Sequence, residues 1–413
     1  MRVLLVAATT GYQTRSFAGA AQKIGCDLVL ATDRCHILDD PWGDSAIAVR
    51  FDDPSEGIDT ILARGPFDGI AAVGDQPSYI AALAAEKLGL PFHSQSSVAA
   101  AKNKFLAREK FREAGLLTPC YQLWPAAIME PRPTGAVNAE VRIQARDGGV
   151  LKRPAYPCVL KPLGLSGSRG VIRADNDAEF AAAFGRVQTI SSETNVLVED
   201  FIPGHEFALE GVVANGRLRA LALFDKPDPL DGPFFEETIY VTVAMDDAIV
   251  ETTQRAVAAL GLTDGPIHAE MRVNHEGVWM LEVAARPIGG LCSRVLRFSG
   301  GASLEELILR HALGENIETV LEPGSHAVMM IPIPHAGIYV RTDGVSDAKA
   351  GEYIDAIVIT AKPGQEMIPL PEGASYLGFI FARAATPELA VDALRAAHAR
   401  LKFQFAATLP VVR

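Results

Sequence analysis

The sequence predicts an α/β protein of several lobes, with an N-terminal parallel α/β lobe followed by central and C-terminal α+β lobes. Three observations carry this expectation. Residues 1–93 alternate short apolar runs with amphipathic segments, the rhythm of βαβ units around a parallel sheet. From Tyr156 onward the pattern changes to strands joined by turns, including a PG turn at Pro203-Gly204 and a hairpin tip near Gly277, with single helices between them. The length of 413 residues is enough for two to four lobes at roughly 100–200 residues each.

The elements follow in order. Val3 to Ala8 is a strand, Arg15 to Ile24 a helix closed by Gly25, and Leu28 to Ala31 a second strand. Gly69 to Val73 is another strand, followed by a helix from about Ser78 to Leu88 that ends at Gly89. The first strand-to-helix turn, AATTGYQTR, lacks the GxGxxG pattern, which counts against a dinucleotide site and a dehydrogenase. A helix begins near Ser97. A second starts at the N-cap Asn103 and runs to Ala114, with Gly115 closing it. Residues 125–154 hold four prolines and three glycines and read as a loop or small flap. Beyond Tyr156 come a strand, a loop, a helix from Asp177 to Thr189, and strands at Val196 to Val198 and Phe207 to Val213. A helix from Asp246 to Leu260, a hairpin, and a helix from Ser303 to Leu313 with a Ser303/Glu306 capping box follow. The tail reads as strands Ala327 to Ile331, Ala356 to Thr360 and Gly378 to Ala382, then a helix from Pro387 to Leu401.

Composition narrows the function. Hydrophobic residues make up 49% and charged residues 21%, which suits a globular chain with a large core. A net charge of −12 argues against nucleic acid as a partner. Cys26, Cys35, Cys120, Cys158 and Cys292 are odd in number and scattered, so reduced thiols in the cytoplasm are expected, with no disulfide framework or zinc site. The opening MRVLLVAATTG is too short for a signal-peptide core. No apolar run reaches the length that spans a membrane, so no membrane partner is expected.

Three segments carry chemistry. In VLKPLGLSGSRGV, Val159 to Val171, Lys161 ends a strand, and three glycines and two serines follow between Gly164 and Gly170. Such a loop can turn backbone N–H groups toward an anion, with Ser166 and Ser168 adding donors around Gly167. It is not the GxxxxGK[ST] phosphate loop, and a hairpin tip with a solvated lysine is the plain alternative. In VLVEDFIPGHEFALEG, Glu199 and Glu206 bracket an apolar hinge. An adenine ring could lie against Phe201 and Ile202, with Asp200 and Ile202 backbone groups at its edge and Glu206 at the ribose. A charged hairpin is the alternative.

The third segment is IHAEMRVNHEGVWMLEVAARPIGG. A three-residue turn at His275-Glu276-Gly277, with Gly277 left-handed, pairs Asn274 with Val278. It then sets Glu270 opposite Glu282, at a Cα separation of ~4.5–5.5 Å. Ala284 and Arg286 share the face of Glu282, and His268 falls opposite Ala284. Two opposed carboxylates repel, and a divalent cation with hard oxygen ligands would remove the conflict. Two solvated glutamates are the alternative, disfavoured because Glu282 stands inside the apolar run VWMLEVAA.

Taken in chain order, NKFLAREKFREAGLLTP, VLKPLGLSGSRGV, VLVEDFIPGHEFALEG, and HAEMRV with LEVAARPIGG resemble the ATP-grasp superfamily. Within it they resemble the carboxylate–amine ligases, the L-amino-acid ligases in particular. GFIFARAATPELAVDALRAA is similar to the closing strand and helix of amino-acid ligases and biotin-carboxylase-like proteins. The resemblance implies a Rossmann-like domain over 1–96, an ATP-grasp domain over 97–315 with a small lid subdomain at about 156–225, and a ligase-type α+β subdomain over 316–413. It implies ATP contacts from Lys104 and Lys161, a lid at 164–170, and adenosine held by Glu199, the backbone of Asp200 to Ile202, and Glu206. Glu270 and Glu282 would hold Mg²⁺, as one or two ions with Mn²⁺ as an alternative, and Arg286 would contact the reacting phosphoryl group.

The family's E-x-N-x-R pattern is here Glu282-Val283-Ala284-Ala285-Arg286, without the asparagine. The implied reaction joins a small-molecule carboxylate to an amine, with an amino acid among the substrates, and a homodimer stays open. A biotin-carboxylase-type carboxylase and a non-catalytic nucleotide-binding regulator are the competing readings. His268 and His275 are candidates for the base that serves the amine. Phe234 to Glu237, Pro287 to Arg294 and parts of 125–155 are the expected substrate loops.

Overall fold

Four β-sheets organise the chain in the computed structural model, which describes residues 1–8, 12–33, 46–125, 154–191, 193–227, 232–235 and 238–406. Residues 126–153 and Glu236-Glu237 of the expected substrate loops lie outside the described residues, as does Cys35. The first lobe runs β1 (Arg2–Ala7), α1 (Thr14–Ile24), β2 (Asp27–Thr32), β3 (Ile47–Ala48), α2 (Pro54–Leu62), β4 (Gly69–Val73) and α3 (Asp75–Leu88). Its sheet has the order β3-β2-β1-β4 and is parallel throughout, as the βαβ rhythm predicts. Helix α2 is absent from the sequence reading, although its signal is present: Asp53 accepts the Glu56 N–H and Pro54 stands at the first helical position.

Helices α4 (Gln95–Lys102) and α5 (Lys104–Glu113) meet at Asn103, which ends one and caps the other by accepting the Phe105 and Leu106 N–H groups. A small antiparallel sheet follows, built from β5 (Tyr121–Pro125), β6 (Cys158–Pro162) and β7 (Ile172–Ala174), then α6 (Asp177–Ile190), then β8 (Asn195–Asp200). Its order is β5-β8-β6-β7. Helix α6 buries Phe180, Phe184 and Val187 against Trp124, Leu160 and Val198.

The largest sheet is assembled from β9 (His205–Ala214), β10 (Arg217–Lys226) and β11 (Ile239–Val243), then, after α7 (Asp247–Leu260), β12 (Gly265–Asn274) and β13 (Gly277–Ala284). Helix α8 (Leu304–Ala312) leads into β14 (Ser325–Ile331), β15 (Gly337–Asp343), α9 (Val345–Lys349), β16 (Ile354–Ile359), β17 (Glu366–Met367), β18 (Gly378–Ala384), α10 (Pro387–His398) and β19 (Lys402–Ala406). Eight strands form one antiparallel sheet in the order β13-β12-β9-β10-β11-β14-β18-β16, so it runs unbroken across residue 316. A three-stranded sheet, β17-β15-β19, completes the C-terminal part. One face of the large sheet packs against α3, α4 and α7 through Leu209, Met271, Met280 and Val283. No helix among the described residues is long and apolar enough to cross a membrane.

Candidate active site

The site grows from strand alternation. On β12, Ile267, Ala269 and Met271 face the core, which leaves His268, Glu270 and Arg272 on the opposite face. On β9 the partners of those three are Glu210, Ala208 and Glu206, and Lys226 of β10 pairs with Glu206. The face therefore carries charges on three neighbouring strands, with the small Ala208 leaving room at its centre. Lys226 Nζ donates to Glu206 Oε1 at 2.8 Å and to Glu270 Oε1 at 3.1 Å. Arg272 Nε donates to Glu206 Oε2 at 3.1 Å, and its Nη1 to the Ile202 carbonyl at 2.9 Å.

Glu270 does pair with Glu282, but not by the route the sequence suggests. The turn holds two residues, His275 and Glu276, and Asn274 pairs with Gly277, one position off the expected register. A bulge on β13 at Leu281 restores the offset before Glu282 is reached. The extra residue switches the strand's faces: Val278 and Met280 point to the core before it, Val283 and Ala285 after it. Without the bulge Glu282 would share the core face. The spacing of those apolar residues, two then three then two, is the signal in the sequence that marks the bulge.

The two carboxylates are hard oxygen donors facing one another at the cleft, which fits Mg²⁺. Among the described residues no group of three or more His, Cys, Asp or Glu side chains could hold a metal, so the other ligands of an ion held here would be phosphate oxygens or water. Their mutual repulsion is also balanced by the protein. Lys104 Nζ lies 3.5 Å from Glu282, while Lys226 and His268 flank Glu270. Burial opposes ionisation of Glu270, but Lys226 and His268 override it and hold its carboxyl well below the usual range.

On the small sheet, Lys161 points toward the same cleft, and Glu199 reaches it from β8. Lys161 Nζ and Arg108 Nε each lie 2.6 Å from a Glu199 oxygen. Arg108 is fully buried, and its Nη1 also donates to the carbonyl of the bulged Leu281. Burial would raise the Glu199 carboxyl, but Arg108 and then Lys161 bring it down to about 2. Burial lowers the Lys161 ammonium, partly offset by Glu199.

Lys104 donates to the Leu165 carbonyl at 2.5 Å, so both expected lysines converge beneath the glycine-rich loop. In that loop Gly167, Ser168 and Gly170 all have positive φ, a path that favours glycine. The loop rests on the C-terminal part: the Gly170 N–H donates to the Pro371 carbonyl at 2.9 Å, and Arg169 Nε to that of Glu372 at 3.1 Å.

Four of the expected residues have these surroundings. Glu199 lines the cleft with its carboxylate between Arg108 and Lys161. Glu206 lines the cleft, yet both its oxygens are engaged by Lys226 and Arg272. His268 is not a free base: Nδ1 is bonded to Glu210 and Nε2 lies 3.1 Å from Glu270 Oε1. Burial would keep that imidazole neutral, but Glu210 and Glu270 raise its pKa to about 9. His275 sits exposed at the hairpin tip and does not line the cleft.

A cleft of about 830 Å³ joins these groups. Lys104, Lys161, Ser166, Gly167, Ser168, Glu199, Asp200, Phe201, Ile202, Glu206, His268, Glu270, Glu282 and Arg286 all line it. Phe201 stacks on Phe235 at 6.5 Å, and the Arg173 and Arg272 guanidinium groups lie 4.4 and 5.0 Å from its ring centre. Gly204 turns the chain behind this wall, where a Cβ would meet the Val273 carbonyl at 2.4 Å.

A second, larger chamber opens to solvent beside the first and shares Leu165, Ser166, Gly167, His268, Glu270 and Arg286 with it. Pro287 to Gly290, from one expected substrate loop, line it together with Tyr12, Tyr240 and Tyr376. Sequence reasoning missed Arg108, Glu210, Lys226, Arg272 and Asp75. Asp75 belongs to the N-terminal lobe, and its carboxylate accepts from Arg286 Nε at 2.8 Å. Arg108, Glu210 and Arg272 stand inside the quoted motifs and Lys226 and Asp75 outside them, but none shows its role there, because each acts by meeting a partner elsewhere in the chain.

Residues 154–295 match the ATP-grasp domain family, and residues 329–406 match the L-amino acid ligase C-terminal domain 2. The chain is 22% identical to the ATP-grasp enzyme fsqD of Aspergillus fumigatus, over 94% of this chain and 76% of that protein. It is 26% identical to dapdiamide A synthase of Enterobacter agglomerans, over 50% of this chain and 47% of that one, so it spans about half the length of this relative. The crystal structure of an L-amino acid ligase from Bacillus licheniformis superposes with a TM-score of 0.79 at 24% identity, covering 98% of this chain and 99% of that one, which shows the fold.

Proposed function

We propose that this chain, whose residues 154–295 match the ATP-grasp domain family and whose residues 329–406 match an L-amino acid ligase C-terminal domain, joins a carboxylate to an amine through an acyl phosphate, with an amino acid among its substrates. The observation that carries this reading is the meeting of two spaces at Arg286. A cleft with Lys104, Lys161 and the opposed Glu270 and Glu282 lies on one side, and a larger open chamber on the other.

The chemistry has two displacements. A carboxylate oxygen attacks the γ-phosphorus of ATP, the bond to the β-phosphate oxygen breaks, and ADP leaves. The amine then attacks the acyl carbon, loses a proton, and expels inorganic phosphate. Such transfers depend on alignment and charge neutralisation more than on covalent help. Lys104 and Lys161 hold phosphate oxygens beneath the loop, and Arg286 faces the γ-phosphoryl end. Glu270 and Glu282 would hold Mg²⁺, which when bound supplies Lewis-acid neutralisation of the phosphates. His268, tied between Glu210 and Glu270, orients Glu270.

The test is a screen of amino-acid pairs for phosphate release, with mass detection of the product. Amino-acid-dependent ADP release with a product one water lighter than its substrates is the expected result. Bound ATP with no pair raising ADP release above the amino-acid-free rate would replace the ligase by a nucleotide-binding role. Glu282→Gln is expected to abolish turnover while leaving the thermal transition in place, and normal activity of this variant at saturating Mg²⁺ would remove the metal assignment.

The loop at 164–170 acts in this reading as a lid over the phosphates. Tryptic cleavage after Arg169 is expected to slow when a non-hydrolysable ATP analogue and Mg²⁺ are added. Unchanged cleavage under saturating analogue would make the loop a surface turn only.

A further inference from the structure

Arg286 is held in place by another lobe. It stands two residues beyond the end of β13, so its long side chain leaves the sheet at the edge of the larger chamber. An arginine there loses conformational entropy on being fixed and needs anchors to present one edge of its fork. Two are visible: Nη1 donates to the Pro287 carbonyl at 3.1 Å, and Nε to Asp75 Oδ1 at 2.8 Å.

Asp75 is well suited to be a fixed anchor. It opens the fourteen-residue α3 directly after β4, and Gly74 at φ 100 makes the turn between them. Ile80 and Ala81 of the same helix are fully buried, so the lobe holds its backbone rigidly. Ser166 of the loop and Lys104 both lie near enough to act on the charge of Asp75. Burial opposes its ionisation, but Arg286 overrides this and keeps the carboxyl below its ordinary range.

We propose that Asp75 is the positioning residue for Arg286: it fixes the guanidinium by Nε so that the remaining edge meets the phosphoryl group. This rests on the ligase reading of the site. A carboxylate beside a phosphate-binding arginine weakens its pull on an anion, so as an electrostatic element alone it would work against the site. As an anchor it converts a flexible cation into a preorganised one. The N-terminal lobe is thereby part of the catalytic assembly and not only a support.

The experiment uses the full chain with Asp75→Ala and Asp75→Asn. It measures Mg–ADP affinity, the affinity of Mg–ADP with aluminium fluoride as a mimic of the phosphoryl group in transit, and steady-state kcat and KM for ATP with a pair found in the screen. Asp75→Ala is expected to lower kcat and the fluoride-complex affinity together by about 10–100-fold, with Mg–ADP affinity and KM for ATP within about twofold of wild type. Asp75→Asn keeps an acceptor oxygen without the charge and falls between wild type and Asp75→Ala.

Unchanged kcat and fluoride-complex affinity would overturn the proposal, as would an equal loss of Mg–ADP affinity, which would make Asp75 a structural part of the nucleotide site. If Asp75→Ala does not fold, the near-isosteric Asp75→Asn decides by the same comparison. If wild type shows no amino-acid-dependent turnover, the ligase reading falls, and the fluoride measurement still decides the role of Asp75.

Discussion

Arg286→Lys is expected to lower kcat and kcat/KM together, by roughly 10²–10³, the range seen when one preorganised donor is removed from a transition state. The reason is geometric. Arg286 spends Nε on Asp75 and Nη1 on the Pro287 carbonyl, and the planar fork still presents Nη2 beyond them. A lysine keeps the charge but has a single nitrogen, which cannot satisfy both anchors and meet a phosphate. Asp75 would draw that ammonium to itself, away from the nucleotide. Steady-state kinetics with ATP varied at saturating amino acids is the measurement. A KM for ATP raised tenfold or more at unchanged kcat would instead place Arg286 in ground-state binding.

Arg108→Met carries the largest expected loss of stability, about 3–5 kcal/mol, because it leaves a buried carboxylate short of a counter-ion. Arg108 is fully buried, and its Nε lies 2.6 Å from Glu199. Lys161 remains to share the charge, so the lower end of the range is the better expectation. Denaturant unfolding reads the change as a shifted midpoint at constant slope. Arg108→Met/Glu199→Leu provides the discriminating comparison. Replacing both charges with apolar groups should return part of the stability, yet it leaves Lys161 buried without its carboxylate, so ATP affinity should not return. A loss below about 1 kcal/mol for Arg108→Met would mean that water reaches the pair and that it is worth no more than a surface ion pair.

Both predictions turn on residues with opposite legibility. Arg286 stands out in the sequence because LEVAARPIGG belongs to an ordered set of motifs and because strand alternation puts Arg286 on the face of Glu282. Arg108 lies in another motif of that set, NKFLAREKFREAGLLTP, but nothing local singles it out. It occupies one position among the charged residues of KFLAREKFRE, where a solvated helix face is the ordinary reading. It is buried because α5 lies against the hairpin, bringing Arg108 to the Leu281 carbonyl.

The same division runs through the fold. The parallel order of the first sheet, the caps at Asn103 and Ser303, and the face of β12 bearing His268, Glu270 and Arg272 follow from local periodicity and hydrogen-bonding groups, which a single stretch of chain expresses by itself. Strands β10 and β11 escaped the reading, and so did their place in one sheet with β14, β18 and β16, since pairing is a property of two segments that need not be neighbours. The register of Glu270 and Glu282 lies between these cases: alternation assigns the face, but the Leu281 bulge sets the offset. Which carboxylates remain available to a ligand was decided only in three dimensions. Glu199, Glu206 and Asp75 are alike as acidic side chains. The tertiary structure sets Glu199 between Arg108 and Lys161, Glu206 between Lys226 and Arg272, and Asp75 against Arg286, because burying a charge requires a partner and the chain must fold to bring one there.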